Sequence, residues 1–216
     1  WFLSGQTHIG VLKKHGCKFW DAWADKETGE VPSAYGSFWR AFPVPGAVAT
    51  DGGHDNPTTR FEDANDQLTW LVKELKTNPM SRRMVVSAWA PSNAQTSKLP
   101  PCHCQWIVNV QNYAPPCQAC PFYVGNGMMP MRCATCKGTG RRDDLAYQRL
   151  NLHLTQRSCD MALGVPYNIA SYGLLMHLLS RFSGIRVGIF GHSLVDAHIY
   201  TCKPDGSMAE FDRVAV

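Results

Sequence analysis

The sequence has 216 residues, of which 44% are hydrophobic, which is enough to form a real core in one large domain or two small ones. Its 21 basic and 17 acidic residues leave a formal charge of only +4, and no basic run marks a nucleic-acid arm, so direct nucleic-acid binding is not expected. The longest apolar stretches fall well short of the ~20 residues that a membrane span needs, which predicts a soluble protein with no membrane contact.

The first part of the chain predicts one helix after an aromatic-rich segment. The sequence opens at Trp1, inside an apolar pattern and without an initiator methionine, as expected of a fragment or of the ordered part of a longer protein. The stretch AVATDGGHDNPTT has the composition of a loop. After it, FEDANDQLTWLVKELKTNP predicts a helix that ends at Asn78, with one apolar face formed by Leu68, Leu71, Val72 and Leu75.

Strands dominate the middle of the chain. MVVSAWA predicts a buried strand, and CQWIVNVQNY and RLNLHLTQRS alternate, with Leu150, Leu152 and Leu154 on one face. NIASYGLLMHLLSRF then predicts a core helix, and VGIF and DAHIY are strand-like. Because helices and strands are mixed without strict alternation, the predicted class is α+β. The apolar stripe assigned to the core helix consists of Ile169, Tyr172, Met176, Leu179 and Phe182.

The segment 114–147 between the two alternating strands fits neither period and contains two Cys-x-x-Cys pairs. Cys117, Cys120, Cys133 and Cys136 have the spacing that closes a tetrahedron of thiolates around zinc. The alternative is a reduced loop with this spacing by chance. A site closed by four sulfurs has no open position for a substrate, so the predicted role is structural, letting an exposed hairpin tip fold around the metal.

The nine cysteines are an odd number in a chain large enough to fold without disulfides. This usage favours reduced thiols with chemical or metal-binding roles, and therefore a cytoplasmic location, in a cell or in the host of a virus. No charged segment followed by an apolar one opens the sequence, so secretion is not predicted.

The segment KLPPCHCQW contains the most informative single cysteine, Cys102. From the residues alone it could be a metal ligand, half of a disulfide, a buried apolar residue or a nucleophile. Two prolines give it an extended approach. Arg82, Arg83 and the triplet QRS at 156–158 supply cations and hydroxyls of the kind that lower a thiol pKa and bind phosphate. The pattern does not establish that these groups meet in space.

Six segments, in order along the chain, closely resemble the thymidylate synthase family. They are FWDAWAD, YGSFWRAF, NPMSRRMVVSAW, LPPCH, QRSCDMALGVPYNIASYGLLMHLL and DAHIY. The resemblance covers nearly the whole chain apart from the cysteine segment and the tail. It implies one catalytic domain over 1–216, with a zinc-ribbon-like insertion at 114–147. The implied fold has three layers around a mixed sheet and dimerises through that sheet's face.

The resemblance implies that Cys102 is a nucleophile that attacks C6 of dUMP, so that C5 takes a one-carbon unit from 5,10-methylenetetrahydrofolate. Tyr35 would assist removal of the C5 proton, and Asn168 would recognise the pyrimidine edge, favouring dUMP over dCMP. Gln156, Gly164 and His103 would support the site.

Phosphate and ribose contacts follow from the same resemblance. Arg157 and Ser158 would contact the phosphate, and His198 and Tyr200 the ribose 3′-hydroxyl. Arg82 and Arg83 would reach across a homodimer interface to the neighbouring subunit's phosphate, a task for which guanidinium groups are well shaped.

For the folate, the resemblance implies Asp160 as the pterin-binding carboxylate and Trp20 and Trp23 as the aromatic wall of the pocket. Taken from the residues alone, Trp20, Trp23 and Trp39 could equally be core aromatics. His153 and His177 are interpreted as structural or exposed. Cys104 and Cys159 flank the site without an assigned role. Arg40 and Arg60 are either solvated or phosphate-binding residues, and the sequence does not decide between these roles.

The sequence departs from the family pattern at four places. The family's catalytic glutamate would precede Trp1, CQWIV lacks the expected aromatic-Gln-aromatic run, Val195 replaces a usual glycine, and the tail RVAV does not resemble the closing segment. These departures keep two alternatives to dTMP formation: a deoxyuridylate hydroxymethylase of the phage type, in which water instead of hydride reaches the C5 methylene, and an inactive scaffold carrying a zinc-ribbon interaction module.

Overall fold

The computed structural model describes residues 1–42, 66–91, 98–120 and 133–200. The loop predicted at 47–59, Arg60, part of the cysteine segment and the tail after Tyr200 lie outside these residues. Within them the helices are α1 (Gly10–Lys14), α2 (Tyr35–Arg40), α3 (Gln67–Thr77) and α4 (Gly164–Ser183), with a 3₁₀ turn at Asp143–Leu145. The strands are β1 (Val85–Ser87), β2 (His103–Tyr113), β3 (Tyr147–Asp160) and β4 (Arg186–His198).

The four strands form one mixed sheet in the order β1-β2-β3-β4. β1 with β2, and β2 with β3, are antiparallel, while β3 and β4 are parallel and are joined through α4. The predicted α+β class is therefore confirmed. β2 and β3 pair along almost their full length, from His103 opposite Gln156 to Tyr113 opposite Tyr147. The cysteine segment thus connects the two strands at the Tyr113 end, and the start of β2 lies at the opposite end.

The core lies between one face of this sheet and helices α2, α3 and α4. The alternation predicted for β3 is confirmed, since Leu150, Leu152 and Leu154 are buried and His153 is exposed. The opposite face carries polar side chains, of which Asn109 and Gln111 are exposed on β2. No helix among the described residues is long and apolar enough to cross a membrane.

Both long helices follow the predicted periodicity, with one correction. In α3, Leu68, Leu71 and Leu75 are buried, and Asp66 caps the first turn by accepting a hydrogen bond from the Thr69 backbone. In α4 the buried residues are Val165, Tyr172, Leu175, Met176 and Leu179. Ile169 and Phe182, which were predicted to lie on the core stripe, are 48% and 58% exposed. The buried stripe is therefore narrower than the apolar pattern indicates.

Candidate active site

One end of the sheet collects most of the predicted site residues. Strand β2 begins there, β3 and β4 end there, and α4 begins there. The register pairs His103 with Gln156, Ser158 with Asp196, and Asp160 with His198. Residues that are distant in sequence are therefore neighbours because three adjacent strands share this end.

Cys102 and Arg157 are held together by the backbone between β2 and β3. The Arg157 backbone N–H donates to the Cys102 carbonyl at 2.9 Å. The Arg157 guanidinium donates through Nε to the Pro101 carbonyl at 2.9 Å and through Nη2 to the Pro100 carbonyl at 2.8 Å. The carbonyls of Pro100 and Pro101 are thus two acceptors that hold a cation beside the Cys102 thiol. The sequence alone did not establish that an arginine and Cys102 meet in space.

Three effects set the charge state of Cys102. Burial raises the pKa of its thiol, while the Arg157 charge and a hydrogen bond from Tyr35 act in the opposite direction. The Tyr35 hydroxyl also accepts a hydrogen bond from the Cys102 backbone N–H at 3.3 Å. Burial raises the pKa of Tyr35 as well, so its hydroxyl stays protonated at neutral pH. The thiol is therefore protonated in the free protein but has a cation and a hydroxyl in place to stabilise a thiolate.

His103 lies under this pair as a neutral ring. It is 3% exposed and stacks on Tyr35, with the ring centroids 4.3 Å apart and the planes 4° from parallel. Its Nδ1 lies 3.2 Å from the Tyr172 hydroxyl. Burial lowers the pKa of His103 to about 4, so the ring is uncharged at neutral pH. Its contacts make it a support for Tyr35 rather than a proton carrier.

A chain of amide contacts connects Asn168 to the sheet. Gln156, which is buried, donates through Nε2 to Asn168 Oδ1 at 3.1 Å, and its Oε1 lies 2.9 Å from Nε2 of His192. Burial lowers the pKa of His192, and so does the nearby His153. Sequence reasoning missed His192 and the contact between Tyr172 and His103. No spacing signal could have found either, because both depend on strand register and helix packing.

Asp160 and Gly164 form the turn from β3 into α4. One oxygen of Asp160, Oδ1, accepts hydrogen bonds from the backbone N–H groups of Ala162 at 3.0 Å and Leu163 at 3.3 Å. A Cβ at Gly164 would lie 3.3 Å from that of Asp160, a tight contact that favours glycine. The carboxylate is thus fixed by the turn, at the same sheet end as Cys102.

The predicted aromatic residues divide into packed and exposed ones. Trp20 is half-buried and packs against Trp1, Phe2 and Tyr35, with its ring centroid 5.7 Å from that of Tyr35. Trp23 is 39% exposed. Trp39 is buried, as its interpretation as a core aromatic requires. Trp20 is therefore the tryptophan of the predicted pair that contacts the site residues.

At the end of β4, His198 and Tyr200 lie with their ring centroids 4.8 Å apart. His198 Nδ1 is 3.2 Å from the Asp196 carbonyl and 3.5 Å from its carboxylate, an ion pair when the ring is protonated. Ser158 faces this strand end through its pairing with Asp196. Elsewhere, Arg40 forms an ion pair with Asp66 at 2.9 Å, and His153 and His177 are exposed.

Arg82 and Arg83 lie far from the other predicted site residues. Both are exposed and precede β1, and Arg82 lines an open basin with Asn109, Gln111 and Asn112 near the far end of β2. At a rise of about 3.3 Å per residue, Asn109 is roughly 20 Å along the strand from the Cys102 end. Neither arginine therefore joins the Cys102 site of its own chain.

The four cysteines between β2 and β3 form a separate cluster. The sulfurs of Cys117, Cys120, Cys133 and Cys136 all lie within 4.8 Å of one another. Two pairs, Cys117 with Cys133 and Cys120 with Cys136, are 3.9 Å and 3.7 Å apart, well beyond a disulfide bond of about 2.05 Å. After the second pair the chain turns through Lys137 and Gly138 at positive φ. This arrangement presents four sulfurs to one point.

Two comparisons with known proteins identify the family of the chain. The profile of the thymidylate synthase family matches residues 1–214. The chain is 39% identical over 205 residues to a thymidylate synthase of Haloferax volcanii, an alignment that covers 93% of this chain and 48% of the relative. The chain thus spans about half the length of the curated relative that it matches. The chain belongs to the thymidylate synthase family.

Proposed function

We propose that this chain transfers the one-carbon unit of 5,10-methylenetetrahydrofolate to C5 of dUMP, forming dTMP and dihydrofolate. The observation that carries the proposal is the half-buried thiol of Cys102, with Arg157 and Tyr35 against it, in a chain of the thymidylate synthase family. A thiol beside a fixed guanidinium is the group that can add to an electron-poor ring and leave again.

Cys102 would form a bond from its sulfur to C6 of dUMP, which makes C5 nucleophilic towards the methylene carbon. Arg157 stabilises the thiolate before the attack and again when the sulfur departs. Tyr35 holds its hydroxyl at the thiol and would assist transfer of the C5 proton to water. The cosubstrate supplies the carbon and, as tetrahydrofolate, the hydride that completes the methyl group, so it leaves as dihydrofolate.

The nucleotide would be bound along the ends of β3 and β4. Asn168 would recognise the pyrimidine edge, supported by Gln156 and by the neutral ring of His103. Arg157 and Ser158 would contact the phosphate, and His198 and Tyr200 the ribose. The shared sheet end supports this set, since Ser158 pairs with Asp196, two residues before His198.

The folate would bind beside the turn into α4. The Asp160 carboxylate would bind the pterin, with Gly164 keeping the turn tight. Trp20 and Trp23 would form the aromatic wall, Trp20 against Tyr35 and Trp23 towards solvent. An apolar wall at this point also keeps water from the C5 methylene group, which favours hydride over water as its acceptor.

A homodimer would explain the position of Arg82 and Arg83, and we include it in the proposal. Both are too far along β2 to reach the nucleotide of their own chain, yet they stand exposed beside the uncovered polar face of the sheet. Pairing two such faces would bring them to the partner's phosphate.

A mixing experiment tests the shared site. Homodimers of Cys102→Ser and of Arg82→Ala with Arg83→Ala would each be weak or inactive. If each site draws on both chains, random exchange restores about a quarter of the wild-type sites, since half the dimers are mixed and each has one intact site. A monomer by sedimentation, or no recovery after exchange, contradicts the shared site.

The cysteine cluster would hold a structural zinc ion, in an insertion at 114–147 of a single domain spanning 1–216. A tetrahedron with zinc–sulfur bonds of about 2.3 Å has edges of roughly 3.8 Å, and the two closest sulfur pairs are 3.7 and 3.9 Å apart. The Cys133 sulfur also accepts backbone hydrogen bonds from Thr135 and Cys136, the outer contacts that orient thiolate ligands. Reduced thiols of this kind suit the cytoplasm.

Elemental analysis of the purified chain tests the metal. The expected result is one zinc per chain, lost in Cys133→Ser and retained in the matched control Cys17→Ser, whose cysteine lies outside the cluster. Preparations of wild type that fold normally without a stoichiometric metal would remove the zinc proposal.

Product identification tests the enzymatic activity. Incubation with dUMP and labelled methylenetetrahydrofolate should yield labelled dTMP and dihydrofolate in equal amounts. Tetrahydrofolate with 5-hydroxymethyl-dUMP would instead identify a hydroxymethylase. No product from a chain with intact zinc would identify an inactive scaffold.

A further inference from the structure

We propose that Cys102 and Cys104 form an oxidisable pair, which a peroxide converts to a reversible disulfide within the chain. Cys104 closes the bond and has no part in the proposed one-carbon transfer. The formation of the disulfide depends on the two thiols and not on a nucleotide, so it does not rest on the proposed function. Its effect on turnover does.

The backbone at the start of β2 turns the Cys104 side chain towards Cys102. Between His103 and Gln105 the register advances by two residues on β2 and by one on β3, so Cys104 is the extra residue of a β-bulge. Its sulfur lies 3.8 Å from the Cys102 carbonyl oxygen. His103, between the two cysteines, is buried, whereas Cys102 and Cys104 are both half-buried. Both thiols are therefore open to a small oxidant from the same side of the chain.

The spacing of the two cysteines allows a disulfide. At a rise of about 3.3 Å per residue, Cα atoms two residues apart in a strand are separated by about 6.6 Å. Disulfides span Cα separations of about 4.4–6.8 Å, and the bend that a bulge introduces shortens the separation further. A bond between Cys102 and Cys104 is therefore compatible with β2 remaining in the sheet.

Arg157 acts on both thiols. Its backbone N–H donates to the Cys102 carbonyl at 2.9 Å, the same oxygen that the Cys104 sulfur contacts. Burial raises the pKa of Cys104, while the backbone N–H and the charge of Arg157 lower it. A charge on Cys102 raises the pKa of Cys104, so the two thiols ionise one at a time. One thiolate beside one thiol, next to a cation, is the arrangement in which a disulfide forms.

The other described cysteines are less suited to this chemistry. Cys159 is fully buried, and its sulfur lies 3.5 Å from the Gln156 carbonyl oxygen. The four cysteines of the cluster lie at the opposite end of the hairpin, and Cys17 lies in the segment after α1. Within the described part of the chain, Cys102 and Cys104 are thus the neighbouring thiols that are both partly exposed outside the cluster.

The oxidation takes two steps and consumes one hydrogen peroxide. The Cys102 thiolate attacks one peroxide oxygen, the O–O bond breaks, and the departing hydroxide takes a proton to become water, leaving a sulfenic acid. The Cys104 thiolate then attacks that sulfur. The S–S bond forms, the S–O bond breaks, and the second hydroxide takes the remaining thiol proton as water. Each sulfur loses one electron, and a dithiol reductant reverses the change.

The test treats the whole chain with a limiting amount of hydrogen peroxide, blocks free thiols and maps the peptides by mass spectrometry. Trypsin with chymotrypsin should release LPPCHCQW, residues 99–106, which contains these two cysteines and no other. In wild type we expect this peptide to lose two hydrogens and resist alkylation. Turnover should be lost in parallel and restored by dithiothreitol.

The variants separate a resolving thiol from a small residue that only fills space. In Cys104→Ser and Cys104→Ala, Cys102 should proceed to the sulfinic acid, which dithiothreitol does not reduce, so the recovery of turnover should be lost. Before oxidation both variants should be active. The matched control Cys17→Ser should recover as wild type does. Melting temperatures check that each variant is folded.

Two results overturn the proposal: a wild-type cross-link from Cys102 to any cysteine other than Cys104, or sulfinic acid formed at Cys102 as readily in wild type as in Cys104→Ser. Peptide mapping also separates the disulfide from the enzymatic activity. A wild type that forms and reverses the cross-link without converting dUMP contradicts the synthase and supports the oxidisable pair. A wild type that converts dUMP but forms no cross-link contradicts the oxidisable pair alone.

Discussion

The two ends of the β2–β3 hairpin present cysteine in opposite surroundings. At the open end, Cys102 lies among an arginine, a tyrosine and a buried histidine that are contributed by three different parts of the chain. At the connecting end, four cysteines lie within 4.8 Å of one another in a segment of about twenty residues. One thiol beside a cation is suited to reversible addition, whereas four together are suited to holding a metal. The surroundings, and not the residue, decide the chemistry.

The largest expected effect is at the open end. Cys102→Ser replaces the thiol by a far weaker nucleophile and should lower kcat by about 10⁴-fold or more. Zinc content should be unchanged, because the cluster is separate. Cys104→Ser, two residues further along the chain at the start of β2, is the matched control and should keep most of the activity. Turnover by Cys102→Ser near the wild-type rate would contradict the assignment of Cys102 as the nucleophile.

The reciprocal change is at the connecting end. Cys136→Ser removes one of the four sulfurs proposed to bind zinc, so we expect loss of zinc and a lower melting temperature, at about 2–4 °C per kcal/mol for a chain of this size. The Cys102 site should lose much less activity than in Cys102→Ser. Calorimetry together with metal analysis measures both effects. Full zinc content in Cys136→Ser would show that this cysteine is not a ligand.

A third prediction concerns the acid stability of the open end. His103 has a pKa of about 4 in the folded protein against an ordinary value of 6.5, so the unfolded chain takes up a proton first. Its contribution is present above pH 6.5 and is lost as the pH falls towards 4, about 3 kcal/mol in all. Urea unfolding of wild type and His103→Asn at pH 7, 5.5 and 4 measures it. If the free energy of unfolding falls equally with decreasing pH in both proteins, His103 is not a buried neutral ring.

The smallest expected effect comes from the guanidinium of Arg157. Arg157→Lys keeps the charge but loses the fork that binds the Pro100 and Pro101 carbonyls, so kcat/KM should fall about tenfold. Arg157→Gln removes the charge that lowers the pKa of Cys102, so the rising limb of the activity profile should move to higher pH. The pH dependence of kcat/KM measures this shift. If the rising limb stays at the same pH in Arg157→Gln, the Arg157 charge does not lower the pKa of the Cys102 thiol.

Much of both ends could be predicted from local patterns in the sequence. The alternation of leucines at 150, 152 and 154 predicted β3, and the four-cysteine spacing predicted the cluster, because each signal depends only on neighbouring residues. Family resemblance, carried by segments such as QRSCDMALG, supplied the roles proposed at the open end.

The remainder depends on contacts that no local pattern encodes. β4 is one continuous strand from Arg186 to His198 although VGIF and DAHIY were predicted separately, because parallel pairing with β3 supports it across Gly188 and Gly191. That pairing also brings His192 to Gln156. Ile169 and Phe182 were placed in the core because they are apolar, but they lie at opposite edges of the buried stripe of α4, where both side chains are exposed.

The most direct test of the account is the identity of the nucleophile. A 5-fluoro analogue of dUMP cannot lose its C5 substituent as a proton, so in the presence of methylenetetrahydrofolate it should trap the sulfur on C6. Mass spectrometry of the intact chain and its peptides should find both ligands attached through Cys102, with the adduct absent from Cys102→Ser. An adduct on any other cysteine, or none under conditions where dUMP is turned over, would contradict the account.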